Sequence, residues 1–594
     1  MLSLMPAIVF ADETEPVPEE TGVEETTEPE DKEEEKDAEE PADKESDEDE
    51  DDSEADKVYE FEGTKRAGES TKSSAKAASG TWGKIKWTFA GNTLTISGKG
   101  NMPNAKDSDS IPWADYRENI EIINVKKGVK SIGAFAFFFC QNITKGSFPG
   151  NIKSIGEGAF AFTNVTKVPV PKTVTSIGNG AFVGTQIKNI TLPKKLKKLG
   201  AAAFSMCYYL TRVSIPKKIK SIGANTFYTC KSLTKVTLPK NLKSIGKQAF
   251  SYCTSLKSIK IPKKVRSIGE AAFAYSGLTS IKIPKKVRTI SKQAFGECMN
   301  LTSITLPKNL RSIGEQAFYN CKGLKSIKIP SKVTSIGKEA FYGCTALTSA
   351  KIPGKVKTIG KGAFHGCEKL TNATVPSSLK TLGDEAFCGC SSLTGAITIP
   401  GGVETIGSGA FFNCVKIPSI KIGYGVKTIK DAAFESCTSI KTITIPSSVE
   451  TVGARILNNC ENLETVNVTE TLKNSSSTAF SGVPSTCRFN YLDKNPIEVT
   501  GKTATVKAKK VKKKNQTIAA SKLFTYVQRG QGALRFKKIS GNGKITINSK
   551  TGKVTVKKKL KKGTYNINVQ VMAIGNDSYR DSGWTDVTIV IKVK

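Results

Sequence analysis

The 594-residue sequence predicts a mainly β protein, in which a solenoid of about 16 turns is followed by a C-terminal β-sandwich and preceded by a disordered acidic N-terminal tail. Three observations support this fold class. A motif of 22 to 24 residues repeats from residue 125, alternating apolar and polar residues follow the repeats, and acidic residues dominate the first 56 positions. A chain of this length is too long for one globular core, so a repeat array or several units is expected.

The repeat has the consensus LxxIxIPxxVxxIGxxAFxxCxx, as in LTSITLPKNLRSIGEQAFYNCKG from Leu301. We interpret LxxIxI as a short strand with inward apolar residues, and the proline as its end, because proline cannot donate to a ladder. The V/L-xx-I pair predicts a second inward-facing edge, and the glycine after it predicts a backbone bend that a Cβ would resist. The AF pair predicts a helical turn or loop with phenylalanine in the interior.

One phenylalanine per turn is the predicted core anchor of the solenoid. Stacking neighbouring turns buries this residue together with the leucine, isoleucine and valine positions, at roughly 1.5–3 kcal/mol per large side chain. The anchors are Phe137, Phe160, Phe182, Phe204, Phe227, Phe250, Phe273, Phe295, Phe318, Phe341, Phe364, Phe387, Phe411 and Phe434. Leu457 and Phe480 take the same slot in the last two turns, so the solenoid is assigned to residues 125–490.

Three parts are predicted before the repeats. Residues 1–11 look like a signal peptide remnant cleaved after Ala11, without the usual basic start; a cytosolic protein with an apolar N-terminus is the alternative. Residues 12–80 are a predicted disordered acidic tail and linker, because 12–56 hold 26 acidic residues, three lysines and almost no large apolar residues. Residues 81–124 alternate apolar and polar positions and predict a capping hairpin module that covers the first open turn.

The last hundred residues change character. Short alternating segments, separated by turns such as SKTGK and KKGTY, predict an Ig-like β-sandwich module over residues 495–594. This module has 23 basic and 4 acidic residues, which would let it dock on an anionic cell wall.

The charge of the chain is divided between tail and body. The net charge is +35, and because residues 12–56 contribute −23, the remainder carries +58. Of the 89 basic residues 78 are lysine, a hydrated point charge rather than the planar fork that reads phosphate and base edges. This excess predicts a diffuse polyanionic partner, or simply a solvated basic surface, rather than specific nucleic-acid binding.

The exposed strand positions provide the candidate ligand-facing residues, which are Thr279, Lys282, Thr305, Lys328 and Lys351. Two further basic columns follow the repeat. One lies two residues before the second-strand isoleucine or leucine (Lys220, Lys243, Arg266, Arg288, Arg311, Lys357, Lys380), and one follows the proline (Lys194, Lys217, Lys240, Lys263, Lys285, Lys308). Such columns can follow a polymer of repeating negative charge; the alternative is that lysine and threonine are simply suitable exposed residues. Aromatic anchors of a tight protein epitope are scarce among the strand positions.

Cysteine also follows the repeat. Twelve of the 14 cysteines lie three residues after the anchor, and only Cys388 and Cys487 are out of phase. Thr163, Thr185 and Ser276 take this slot in three turns, which favours a small, weakly polar buried group over a disulfide. The spacing does not fit a metal site, since there is no CxxC pair.

The motifs IPKKVRSIG, IPSSVETVG, SIGEQAFYNC and KTIGKGAFHGC resemble the BspA-type leucine-rich repeats of bacterial surface proteins, over residues 125–485. The resemblance implies a leucine-rich-repeat solenoid in a protein that is secreted or held at the bacterial cell surface or cell wall. It also implies an adhesin-like role, in which the solenoid face binds a host or neighbouring-cell surface protein or glycan. ITINSKTGKVTV similarly resembles Ig-like or cadherin-like modules of such proteins.

A second function remains open: a wall-associated structural scaffold held by charge on anionic cell-wall polymers. Enzymatic activity is not expected, because the chain has one histidine, His365, which we interpret as a loop residue, and no paired carboxylates or phosphate-binding glycine loop. No catalytic residue, cofactor, metal or specific nucleic-acid partner is predicted, and no apolar run reaches the ~20 residues of a membrane span.

Overall fold

The computed structural model describes residues 57–64, 76–492, 495, 497–528, 530, 532–575, 579 and 581–594. The predicted signal peptide remnant and residues 12–56 of the predicted acidic tail lie outside the described residues and stay predictions. The chain divides into two compact units, Met1–Ala203 and Phe204–Lys594, and repeat turns occur in both. The predicted fold class is confirmed: the protein is mainly β, with about 16 solenoid turns and a C-terminal β-sandwich.

The first unit combines an antiparallel cap with the first turns. Its strands are β1 (Val58–Gly63), β2 (Ala78–Trp82), β3 (Ile85–Ala90), β4 (Thr93–Gly98), β5 (Gly100–Asn101), β6 (Ile122–Val125), β7 (Val129–Ile132), β8 (Lys145–Pro149), β9 (Ser154–Ile155), β10 (Val165–Lys167), β11 (Ser176–Ile177) and β12 (Lys198–Leu199), with a 3-10 helix at Ala114–Asn119. They form sheets in the orders β10-β1-β8-β6-β4-β3-β2 and β12-β11-β9-β7-β5. The antiparallel strands β2 to β4 therefore pass directly into the parallel ladder of the solenoid, because β4 pairs with β6.

The cap closes the open end of the solenoid with an aromatic side chain. Trp113 is fully buried, its Nε1 donates to the carbonyl of Ala136 at 2.7 Å, and its ring lies 6.5 Å from that of Phe137. Burial and a satisfied indole N–H make Trp113 part of the core of the cap.

One stretch of the predicted linker is a strand. The prediction of a disordered linker over 12–80 is wrong for Val58–Gly63, which pairs antiparallel with both β8 and β10, and β2 begins at Ala78. The physical reason is that the sheet supplies the backbone partners which the isolated hexapeptide lacks, so tertiary context overrides a composition argument.

The second unit continues the turns, most of which have two short parallel strands. The first strands are Arg212–Ser214, Lys235–Thr237, Ser280–Lys282, Ser303–Thr305, Ser326–Ile327, Ser349–Ala350, Ile397–Ile399, Ile420–Ile422, Thr442–Thr444, Thr465–Val468 and Arg488–Tyr491. The second strands are Ser221–Ile222, Ser244–Ile245, Ser267–Ile268, Thr289–Ile290, Ser312–Ile313, Ser335–Ile336, Thr358–Ile359, Thr381–Leu382, Thr405–Ile406, Thr428–Ile429 and Thr451–Val452. A helix at Glu470–Ser475 lies in the last turn.

The fourteen phenylalanine anchors are fully buried. From Phe204 to Phe434 neighbouring rings lie 5.1 to 6.1 Å apart and within 18° of parallel. Within the second unit, each ring from Phe227 to Phe411 therefore contacts its equivalents in the turns above and below, so these turns stabilise one another through one continuous column.

The glycine after the second strand avoids a clash between neighbouring turns. It does not have a positive φ, but a Cβ on Gly337 would lie 2.6 Å from the backbone N of Glu315 and from the C of Gly314. The expectation that this position resists a Cβ is confirmed, and the backbone bend itself stays a prediction. Glycine is needed there because the backbones of consecutive turns approach too closely for a side chain.

Positive φ values occur at other positions of the repeat, two residues before and two residues after the phenylalanine anchor. Gln316 has φ 53° and Asn320 has φ 51°, two residues before and after Phe318, and other turns repeat this pattern with non-glycine residues. Such a conformation costs roughly 1–2 kcal/mol per residue. It is offset by hydrogen bonds between turns, since the N–H groups of Gln316, Phe318 and Asn320 each donate to the next turn at 2.7 to 2.8 Å.

The cysteine slot supplies a further bond between turns. All 14 cysteines are free, and the twelve of the repeat slot are buried. The Cys344 thiol donates to the carbonyl of Phe318 in the preceding turn at 3.2 Å, whereas Thr163 donates to Phe160 of its own turn at 2.8 Å. Burial raises the pKa of the Cys344 thiol to about 12. The slot therefore selects a small buried donor.

The C-terminal module has its own core. Its strands are Glu498–Gly501, Thr503–Val506, Gln516–Ile518, Phe524–Gln528, Leu534–Ser540, Ile545–Ile547, Val554–Val556, Gly563–Ala573 and Thr585–Val593, with an α-helix at Ala508–Lys513 and a 3-10 helix at Ala520–Lys522. They form two-, four- and three-stranded sheets around residues such as Leu523, Val569 and Ile589. The module contacts the solenoid where the Tyr424 hydroxyl lies 3.2 Å from the sulfur of Met572. Its Ig-like character stays a prediction.

Candidate ligand-binding surface

All five predicted ligand-facing residues are exposed, either within the first strands of the second unit or directly beside them. Ser280–Lys282 and Ser303–Thr305 pair in parallel register, so that Lys282 lies beside Thr305. Ser326 pairs with Ser349 in the next two turns, which places Lys328 and Lys351 at the equivalent position just after those strands. The structure therefore aligns Lys282, Thr305, Lys328 and Lys351 in one column.

Thr279 belongs to a different column, whose hydroxyl groups donate to backbone carbonyls of the preceding turn. Its hydroxyl donates to the carbonyl of Lys257 at 3.2 Å, and Thr302 donates to the carbonyl of Thr279 at 3.0 Å. Thr348 and Thr371 repeat this bond at 3.0 and 3.1 Å. The hydroxyl proton of these threonines is thus used between turns, and only their oxygen lone pairs are available to a ligand.

The two further basic columns are exposed as well. They lie on either side of the buried Val or Leu that separates the strands, for example Lys285 and Arg288 around Val287. Together with the strand column they form one surface, which we call the strand-side surface. It comprises the residues from the first leucine to the second-strand isoleucine or leucine of eight turns, at 210–222, 233–245, 256–268, 278–290, 301–313, 324–336, 347–359 and 370–382.

The strand-side surface contains no acidic residue. Its eight segments hold 25 lysines and arginines, no aspartate, no glutamate and no aromatic residue. The basic columns are predicted from the sequence, whereas the complete exclusion of acids was not predicted, although a count of charge by repeat position reveals it. Because like charges a few ångströms apart repel, a run of this length attracts counter-ions or an extended anion.

The intervening segments form the opposite surface, the turn-side surface, at 223–232, 246–255, 269–277, 291–300, 314–323, 337–346, 360–369 and 383–392. It holds seven acidic and seven basic residues. Several of them pair across neighbouring turns, as Lys247 with Glu270 at 3.4 Å and Lys292 with Glu315 at 3.2 Å. This surface is therefore electrically neutral.

Aromatic residues lie on the turn-side surface. Tyr252 and Tyr275 stack at 4.4 Å and 4°, and Tyr342 stacks on Tyr319 at 5.0 Å and on His365 at 4.5 Å. Because the rings stack on one another along the turns, they present edges rather than faces to solvent. His365 lies in the turn after the anchor, as interpreted from the sequence, with its Nδ1 3.3 Å from Glu385.

In the part of the chain that the structure describes, no group of three or more His, Cys, Asp or Glu residues is placed to hold a metal ion. Over the same residues, no helix has both the length and the apolar character needed to cross a membrane. The out-of-phase Cys388 is half-buried, and burial raises its pKa to about 11, so its thiolate form is disfavoured at neutral pH.

The comparisons with known proteins agree with the repeat geometry. Residues 114–227, 175–299, 267–394 and 394–496 match the BspA type Leucine rich repeat region. No curated protein matches the chain.

Several solved structures are similar. A leucine-rich repeat protein from Bacteroides ovatus is 26% identical, with 69% of this chain and 98% of that chain covered and a TM-score of 0.44. A leucine rich cell surface protein from Faecalibacterium prausnitzii is 22% identical, covering 70% and 95%, with a TM-score of 0.34. The repeat match, which spans well over half of the sequence, settles the assignment: this chain belongs to the BspA-type leucine-rich-repeat family.

Proposed function

We propose that this protein is an exported, non-enzymatic surface protein that mediates adhesion, and that the strand-side surface of its solenoid binds an anionic glycan or an acidic region of a surface protein. The observation that supports this most is the run of eight turns with 25 basic and no acidic residues. The family is one of bacterial cell-surface proteins, which makes a role in binding outside the cell the natural use of such a surface.

The chemistry of the ligand follows from what the surface lacks. Without aromatic side chains it offers no stacking platform for bases or sugar faces, and lysine binds as a point charge rather than as a bidentate fork. Lysines at one position in successive turns are separated by about 4.8 Å, the spacing of strands in a sheet. An extended polymer with regularly spaced sulfate, phosphate or carboxylate groups therefore fits better than a compact, neutral ligand.

The test compares two triple variants of the full chain with equal change in charge. Lys282→Glu/Lys328→Glu/Lys351→Glu alters the strand-side surface, and Lys231→Glu/Lys322→Glu/Lys369→Glu alters the turn-side surface. Binding to immobilised heparin, as a model sulfated glycan, is measured at several salt concentrations. We expect the first variant to bind at least about tenfold more weakly, ~1.4 kcal/mol, and the second to stay within about twofold of the parent. Equal losses in both would mean that net charge alone, rather than this surface, determines binding.

A second candidate is the wall-associated scaffold, which the charge of the C-terminal module favours. That module has 23 basic and 4 acidic residues and would be retained by anionic wall polymers without a specific ligand. Purely electrostatic retention weakens as salt screens the charges, with a Debye length of about 4–5 Å at 0.5 M. Release of the full chain from cells by 0.5 M salt supports the scaffold, whereas retention in 0.5 M salt contradicts it.

A further inference from the structure

One strand in the parallel ladder of the first unit, β1, does not belong to a repeat turn. In the second unit several first strands of consecutive turns pair directly, as Ser280–Lys282 does with Ser303–Thr305 and Ile397–Ile399 does with Ile420–Ile422. In the first unit β8 and β10 also belong to consecutive turns, but they do not pair with each other. The strand β1 lies between them and runs antiparallel to both.

The slot between β8 and β10 holds β1 through many backbone contacts. Five residues of β1 are in register with β8, and its end pairs with β10. Gly150 N donates to the carbonyl of Lys57 at 2.6 Å, Gly63 N donates to Thr144 at 2.8 Å, and Thr64 N donates to Asn164 at 3.1 Å. The fit is close at Gly63, where a Cβ would lie 2.1 Å from the carbonyl oxygen of Ile143.

The residues of the slot depart from the repeat in two places, and one of them, Pro169, removes a backbone donor that direct pairing of β10 with β8 would use. In the regular ladder the residue before the last strand isoleucine faces the preceding turn, as Thr305 does when its carbonyl accepts from Ile283 N at 2.9 Å. Pro169 holds this position in the turn of β10 and has no N–H to donate to β8. Gly146 replaces the consensus isoleucine opposite it, so both sides of the slot differ from ordinary turns.

The segment is held in the slot by strand pairing and by side-chain contacts such as the Lys167–Glu62 ion pair at 3.2 Å, and its covalent links to the rest of the chain are at its two ends. Residues 65–77 connect it to β2, which lies five strands away in the same sheet, about 24 Å at a spacing of ~4.8 Å. Thirteen residues can span up to roughly 43 Å, which exceeds this distance. The segment can therefore leave the slot without any solenoid turn unfolding.

We propose that this slot is a strand-exchange site, which takes residues 57–64 of a second copy of this chain. The segment itself is the one occupant whose fit to the slot is established, and a second copy carries the identical sequence. Exchange replaces each contact with an equal one, so the balance depends on concentration alone. Chains crowded on a surface would become linked through their N-terminal segments, independently of the ligand proposed above.

Disulfide trapping between full-length chains tests this exchange. Glu60 and Ser147 face each other across β1 and β8, and neither is fully buried. The variants Glu60→Cys and Ser147→Cys are made separately in a background with Cys388→Ser and Cys487→Ser, mixed and oxidised. With an effective concentration of the tethered segment on the order of 1 mM, about a tenth of the slots should hold a partner's segment at 0.1 mM chain. A covalent heterodimer is expected at that level.

Two controls make the result decisive. Ser79→Cys lies in β2, at the opposite edge of the sheet, so Glu60→Cys mixed with Ser79→Cys should give at least tenfold less heterodimer. Adding Gly63→Val to the Glu60→Cys chain should reduce the heterodimer by a similar factor, because its side chain meets the Ile143 carbonyl. The double variant Glu60→Cys/Ser147→Cys should crosslink within one chain. If it does so while the separate variants never crosslink, or if Ser79→Cys reacts equally, strand exchange is refuted.

Discussion

The strand-side and turn-side surfaces belong to the same eight turns of the second unit, yet they differ in almost every respect. The strand side has 25 basic residues, no acid and no aromatic ring; the turn side has seven acids, seven bases and stacked tyrosines. Both surfaces cover the same core, which is the column of buried phenylalanines. The difference shows that the repeat fixes the interior while leaving charge to be set by position, so a uniform charge on one surface reflects a selected property rather than the composition of the chain.

Both surfaces depend on the same phenylalanine core, so removing one anchor side chain should destabilise the turns that form both of them. Phe318→Ala deletes a fully buried ring that lies 5.6 Å from Phe295 and 5.2 Å from Phe341. We expect a loss of about 3–5 kcal/mol in the free energy of unfolding, measured by denaturant titration. Phe318→Leu should cost much less, because Leu457 fills the same slot in another turn. A loss below about 1 kcal/mol for alanine would mean that the anchors are not the main bond between turns.

Raising the pH should lower the stability of the fold through the turn-side segments, because the buried thiols of the repeat lie in those segments and not in the strand-side segments. The pKa of Cys344 is raised by burial from 9.0 to about 12, so the folded state keeps the proton that the unfolded state loses. The contribution of this thiol is complete below about pH 9 and falls as pH rises toward 12. At pH 10 the loss is about 1.4 kcal/mol for this one group.

Cys344→Thr provides the measurement for this effect. Thr163 and Thr185 occupy the slot naturally, so threonine is an acceptable replacement. Between pH 8 and pH 10 the stability of the variant should fall about 1.4 kcal/mol less than that of the parent, and the parent should be the steeper of the two. Parallel pH profiles would show that this thiol exchanges protons with solvent in the folded protein.

The sequence predicts those features of the fold that depend on a single position of the repeat. The column of buried phenylalanines and the proline that ends the first strand are two such features, because the same residue type recurs at the same position in turn after turn. What a Cβ at Gly337 would meet could not be predicted, because the clash is with Gly314 and Glu315 of another turn. The strand at Val58–Gly63 was missed for a related reason: a hexapeptide beside an acidic tail shows no repeat, and its partners lie in β8 and β10.

A smaller effect on stability is expected from the left-handed backbone conformation, which occurs in the turn-side part of the repeat. Ala432 has φ 55°, whereas its neighbour Ala433 is fully buried and does not have a positive φ. Ala432→Gly should relieve the left-handed strain and raise the free energy of unfolding by about 0.5–1 kcal/mol. Ala433→Gly should lower it by about 1 kcal/mol, through the lost methyl group and added chain entropy. Destabilisation by both substitutions would show that the strain at position 432 is already relaxed.

The smallest expected effect concerns the ion pairs that neutralise the turn side. Lys292 and Glu315 lie 3.2 Å apart in consecutive turns, and about half of the lysine side chain is exposed. Solvent screening limits such a pair to about 0.2–0.5 kcal/mol. A double-mutant cycle with Lys292→Ala and Glu315→Ala should give a coupling energy in that range in low salt and close to zero in 0.5 M salt. Lys282, with no acid on its surface, serves as the reference: Lys282→Ala combined with Glu315→Ala should show no coupling. A coupling above about 1 kcal/mol for Lys292 would make charge pairing, and not only the core, a determinant of turn stacking; the neutrality of this surface would then be a structural requirement.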